Sequence, residues 1–114
     1  MACNSEKRVI VGTNPQNLFN FLCSQQQIDK FTLNYADQAN WAVSFKVSLN
    51  MLSWGENMTV RVYDGGNGNT LVSVYSESAL PTTLVDWGKN SQNVDLFISI
   101  LYRYFPPAPM PVQY

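Results

Sequence analysis

Between Ser76 and Asn93 the chain runs Ser-Glu-Ser-Ala-Leu-Pro-Thr-Thr-Leu-Val-Asp-Trp-Gly-Lys-Asn-Ser-Gln-Asn, then passes into its most regular amphipathic stretch. Val94, Phe97, Ile98, Leu101, Tyr104 and Phe105 fall at i, i+3, i+4, i+7, i+10 and i+11, the spacing of one apolar helix face. Asp95 near the start and Arg103 near the end suit the helix dipole, and Pro106-Pro107 stops the helix. The preceding polar run reads as a strand end, a crossover and a capped helix start. Asn90 or Ser91 can satisfy the first-turn N–H groups, and Gly88 permits a backbone conformation closed to other residues. A long helix with a single apolar face must lie on another layer, and the rest of the chain has to supply it.

That layer is a set of strands. Trp41, Val43, Phe45, Val47 and Leu49 alternate with Ala42, Ser44, Lys46 and Ser48, the clearest strand pattern in the chain. Phe31, Leu33 and Tyr35 alternate just before it, across a turn at Asp37-Gln38-Ala39-Asn40. Met58, Val60 and Val62 share a face, and Asp64-Gly65-Gly66-Asn67-Gly68-Asn69 supplies hairpin-turn residues before a partner strand at Leu71 to Ser76. Near the N-terminus, Arg8 to Gly12 is a short β-branched run. Asn14 can then cap, and Pro15 open, a helix to about Gln26, with Leu18, Phe19, Leu22 and Cys23 on one face and Phe21 at its edge. The order is β-α-β-β-β-β-α. It predicts a two-layer α+β domain over residues 1–105, an antiparallel sheet covered by two helices, followed by a proline-rich tail at 106–114.

Composition limits the function. Of 114 residues, 46% are hydrophobic and 13% aromatic, enough for a core without metal or disulfide support, while only 13% are charged. Seven Lys and Arg stand against eight Asp and Glu, with no basic stripe, which argues against a nucleic-acid binder. No apolar run is long enough to span a bilayer and no signal-peptide core opens the chain, so a soluble, cytoplasmic protein is expected. Cys3 and Cys23 are too few for a disulfide framework; a bridge between them is possible but unsupported.

The chain has no histidine, which removes the commonest near-neutral acid/base and most catalytic triads. Its carboxylates, among them Glu56, Glu77, Asp86 and Asp95, lie on separate segments without metal-ligand spacing. Gly65-Gly66-Asn67-Gly68 precedes a strand and is no phosphate loop. The expectation is a non-enzyme without cofactor. An anion pocket of helix amides, Lys89, Ser76 and Ser78 is the functional reading of the crossover. With one Lys beside an Asp, the structural reading, a capped joint, is preferred.

Ser53-Trp54-Gly55-Glu56, Ser76-x-Ser78, Pro81-Thr82-Thr83 and Asp86-Trp87-Gly88-Lys89-Asn90-x-x-Asn93-Val94 resemble small bacterial domains of unknown function. In these, a Trp-Gly-Glu turn precedes a hairpin and an Asp-aromatic-Gly-Lys-Asn turn opens the last helix. The resemblance covers roughly residues 50–101 and implies an uncharacterised α+β domain, prokaryotic in source, with no activity to carry over. The element order also resembles an abbreviated helix-grip domain, in which a long C-terminal helix covers a curved sheet and an apolar ligand often sits between them. From these readings, a small apolar or amphipathic ligand is expected between the C-terminal helix and the sheet. Trp41, Phe45, Trp54, Phe97 and Leu101 would line its site, with Lys89 and Asn90 orienting a polar head. The alternative is a protein-interaction module using a sheet edge or the tail, where Pro106 and Pro109 give PxxP spacing.

Overall fold

The computed structural model describes residues 4–47, 55–79 and 88–108. It contains β1 (Asn4–Val11), α1 (Pro15–Ser24), β2 (Gln27–Ile28), β3 (Phe31–Asp37), a 3-10 turn (Gln38–Asn40), β4 (Ala42–Val47), β5 (Glu56–Gly66), β6 (Asn69–Ser78) and α2 (Lys89–Tyr104). All neighbouring strands are antiparallel, and the six form one curled sheet in the order β1-β6-β5-β4-β3-β2. The predicted two-layer α+β arrangement is present: α1 lies over β4, β5 and β6, and α2 over β1 and β6.

Alternation decides which face is covered. Val43, Phe45 and Val47 of β4, Met58, Val60 and Val62 of β5 and Val72 and Val74 of β6 are buried on the helix-facing side. Phe97 of α2 meets Phe31 edge-on at 5.3 Å and Phe45 at 5.4 Å, so three rings from three elements close the centre of the core. Phe21 joins the two helices, with its ring 4.8 Å from Tyr104 and 5.2 Å from Phe105. The opposite face of the sheet is polar, carrying Glu6, Lys46, Thr59, Arg61 and Tyr75.

The structure corrects several local expectations. Helix α1 stops at Ser24 rather than near Gln26, because Gln27–Ile28 pairs with Phe31–Thr32 and buries Ile28. The ladder between β3 and β4 shifts between Leu33 and Tyr35, placing Tyr35 opposite Ser44 and leaving it 58% exposed instead of on the face of Phe31. Trp41 does not begin β4; it ends the 3-10 turn in the left-handed region, at φ 51° and ψ 47°. Tyr104, expected on the apolar face of α2, is 59% exposed. Leu49, Trp54 and the crossover residues 80–87 lie outside the described residues.

The start of the tail pairs with the sheet. Gly12 N–H donates to Pro106 O at 2.7 Å and Ala108 N–H to Ile10 O at 2.9 Å, forming an antiparallel bridge between Val11 and Pro107. Among the described residues no helix is long and apolar enough to cross a membrane.

Candidate functional site

Two places concentrate polar chemistry near the helices. The first is buried under the opening turns of α2. The expected caps do not act there: the N-cap is Gly88, at φ 75°, with no side-chain capping bond, and Asn90 and Asn93 instead turn into the protein, fully buried. Ser76 Oγ–H donates to Asn90 Oδ1 at 2.7 Å, and Asn90 Nδ2 donates to Ser78 Oγ at 3.2 Å. Asn93 Nδ2 donates to Glu56 Oε1 at 2.7 Å, holding a carboxylate that is only 4% exposed. Paired register explains the meeting, since Glu56 sits opposite Ser78 and Met58 opposite Ser76. Glu56, Ser76, Ser78, Asn90 and Asn93 all belong to the motifs that carry the resemblance above, and the fold joins them in one hydrogen-bonded joint. Their polar atoms are spent largely on each other, the arrangement of a structural clasp. Asn93 Oδ1 is buried and has no hydrogen-bond partner among the described residues. Lys89 is half-exposed at the rim. Ser76 and Ser78 are committed to Asn90 and not to an open anion pocket.

The second place is the cleft around Trp41. Asp37 closes the 3-10 turn by accepting from Asn40 N–H at 3.3 Å and, through its other oxygen, from Asn40 Nδ2 at 2.8 Å. Trp41 follows, its N–H donating to Gln38 O at 3.2 Å and its carbonyl accepting from Val62 N–H at 2.9 Å. A bulky side chain at positive φ is a true outlier, disfavoured by about 1–2 kcal/mol. Here it turns the indole onto Phe19, with ring centroids 5.3 Å apart. The ring stays half-buried and borders an open cleft of about 740 Å³ with Asn14, Pro15, Gln16, Val62, Asp64 and Gly68.

The walls of this cleft are held from behind. Asn14 caps α1 by accepting from Asn17 N–H at 2.8 Å, and Gln16 Nε2 donates to Asn20 Oδ1 at 2.9 Å. Across from them, Asp64 Oδ1 accepts from Gly66 N–H at 2.9 Å, while Asn67 and Gly68, at φ 54° and 77°, make the two-residue turn of the β5–β6 hairpin. Thr70 Oγ–H donates to Thr13 O at 2.6 Å and ties the lead-in to α1 to the start of β6. An apolar floor with amides and a carboxylate on the rim suits an amphipathic molecule.

The expected site residues therefore separate. Phe45, Phe97 and Leu101 are fully buried and pack within the core. Asn90 is in the clasp, Lys89 stands at its rim, Trp54 lies outside the described residues, and Trp41 alone lines the cleft. Sequence patterns do not show the partners of Trp41, because they come from the N-terminus of α1, the middle of β5 and a hairpin tip. The available signal was a Trp directly after the polar turn Asp37–Asn40.

Three further depressions, of about 530, 480 and 340 Å³, lie along the outer sheet face among mostly polar side chains, including Tyr35, Lys46, Arg61 and Tyr75. Among the described residues no group of three His, Cys, Asp or Glu side chains is placed to hold a metal ion. Cys23 is half-buried, and burial raises its thiol pKa. Compared with known protein families and with curated proteins, the chain matches neither a family model nor a curated sequence.

Proposed function

We propose that this chain is a non-catalytic binding module that takes a small amphipathic ligand in the cleft over Trp41. The observation that carries this reading is the left-handed backbone of Trp41, which spends conformational energy to set a half-exposed indole on Phe19 at the mouth of a cleft. The ligand's apolar part would rest on Trp41 and Val62, and its polar part would meet Asn14, Gln16 and Asp64. This site replaces the expected space between α2 and the sheet as the preferred location, because Phe31, Phe45 and Phe97 would have to part to admit a ligand there.

The lack of histidine and the engagement of Glu56 by Asn93 support a binding role over a catalytic one. The likeness of the clasp motifs to small bacterial domains supports a prokaryotic source and says nothing of the ligand. A titration with the neutral lipophilic dye N-phenyl-1-naphthylamine tests the reading. Saturable binding that weakens at least about tenfold in Trp41→Ala supports it; no saturable binding, or binding indifferent to Trp41, opposes it.

A further inference from the structure

The outer face of the sheet carries a trough whose lining holds hydrogen-bonding groups that the fold itself does not use. A regular β3 would put Tyr35 on the face of Phe31, inside the core. The register shift between Leu33 and Tyr35 turns it outward and sets it opposite Ser44. The row continues across the sheet as Ser44↔Thr59 and Thr59↔Tyr75. Two tyrosines therefore stand three strand spacings apart, about 14 Å, with only short side chains between them. The next row, Asp37↔Ala42↔Arg61, sets a carboxylate and a guanidinium on either side of an alanine.

Ser44 is only 6% exposed and lines the depression of about 480 Å³, yet its hydroxyl makes no hydrogen bond among the described residues. A hydroxyl so deeply set is costly to leave unbonded. The Thr59 hydroxyl and the Arg61 guanidinium line the same depression and also have no hydrogen-bond or ion-pair partner among the described residues. Tyr35 and Tyr63, 58% and 43% exposed, border it as well. Single exposed aromatics are ordinary on a protein surface, but two around one depression give a rigid, amphipathic contact area.

Charge selects among ligands. Asp37 and Arg61 balance, so the lining favours neither an anion nor a cation. A wholly apolar ligand would cover Ser44, Thr59 and Arg61 without bonding them. A neutral molecule with many hydroxyls and an apolar C–H face meets both demands, and that is the chemistry of a pyranose ring. Its C–H face rests on a tyrosine ring, while its hydroxyls donate and accept at the floor. The neighbouring depression of about 340 Å³ shares Thr59 and Arg61 and reaches Tyr75, which gives room for more than one sugar ring.

We propose that the outer sheet face is a carbohydrate-binding site, independent of the Trp41 cleft, that takes a neutral oligosaccharide along the row Tyr35, Ser44, Thr59 and Tyr75. The test is a titration of the full chain with maltotriose, cellotriose and tri-N-acetylchitotriose, followed by amide NMR. At least one is expected to bind saturably and to shift Tyr35, Ser44, Thr59 and Arg61 while Phe97 stays still. Tyr35→Ala should weaken that binding at least about tenfold, and Ser44→Ala about fivefold. Because Tyr35 is exposed, Tyr35→Ala should unfold in urea close to the wild type, so that its loss of binding is not a loss of fold.

No saturable binding of any of the three sugars would overturn the proposal, as would binding indifferent to both substitutions. Tighter binding of trigalacturonic acid than of every neutral sugar would overturn the neutral class. Shifts at the same residues that grow with protein concentration alone, together with a dimer's mass in light scattering, would overturn it in favour of a second copy on this face.

Discussion

Asn93 donates through Nδ2 to the buried carboxylate of Glu56 at 2.7 Å, linking the first turns of α2 to the first residue of β5. Removing one member of such a pair leaves the other buried without its partner, which costs more than the bond contributes net. Asn93→Ala should therefore destabilise the fold by about 2–4 kcal/mol, read from urea unfolding midpoints at constant m. Glu56→Gln, which removes the charge and keeps the shape, should cost less. Equal costs for the two variants would contradict the clasp.

The Phe31–Phe97–Phe45 group predicts a different sensitivity. Phe97 is fully buried between two rings, so Phe97→Ala should cost about 3–5 kcal/mol by losing apolar contact and leaving a cavity. Tyr104→Ser, at an exposed position of the same apolar spacing, should cost about 1 kcal/mol or less by the same denaturant measurement.

Two glycines of the β5–β6 hairpin should respond unequally to asparagine. Gly68 has φ 77° and open space where a Cβ would go, so Gly68→Asn should be nearly neutral, because Asn tolerates the left-handed region. At Gly65 a Cβ would meet the backbone nitrogen of Leu71 at 2.9 Å, so Gly65→Asn should force the bulge apart and lower the melting temperature distinctly. Similar shifts for both would show that this turn is not a rigid wall of the cleft.

Tyr75 carries a pH signature. Partial burial raises its phenol pKa first, and the hydrogen bond to Glu77 at 3.0 Å and the negative charges of Glu77 and Glu6 push the same way. The folded state thus favours the neutral phenol. Its contribution to stability is fully present below the unfolded-state pKa and is lost as pH rises through the higher folded value. The ultraviolet difference between wild type and Tyr75→Phe should titrate later in the native protein than in denaturant. Coincident titrations would remove the Tyr75–Glu77 pair from the account.

Much of this architecture is legible in the residues, for physical reasons. Asn14-Pro15 marks a helix start that the structure keeps, since a side-chain cap and a proline at the first position act locally. The alternation in β4, β5 and β6 marks the covered face because burial repeats every second residue. What escapes is non-local. Nothing in Phe31-Thr32-Leu33-Asn34-Tyr35 announces the bulge that turns Tyr35 outward, because it arises from pairing with β4. Asn90 and Asn93 look like capping residues until Ser76 and Glu56 are brought beneath them by the sheet. Trp41 fits an alternating strand on paper, and only the 3-10 turn before it and Val62 across from it set its backbone in the left-handed region.

The binding role of the Trp41 cleft is tested most directly by following the Trp41 indole N–H resonance during the dye titration, assigned by its loss in Trp41→Phe. The account predicts a saturating shift of that resonance together with the amides of Gln16 and Asp64, at one dye per chain, and no comparable shift at Phe97 or Leu101. Saturable binding that moves Phe97 and Leu101 and leaves Trp41 still would contradict it, and would place the ligand beneath α2.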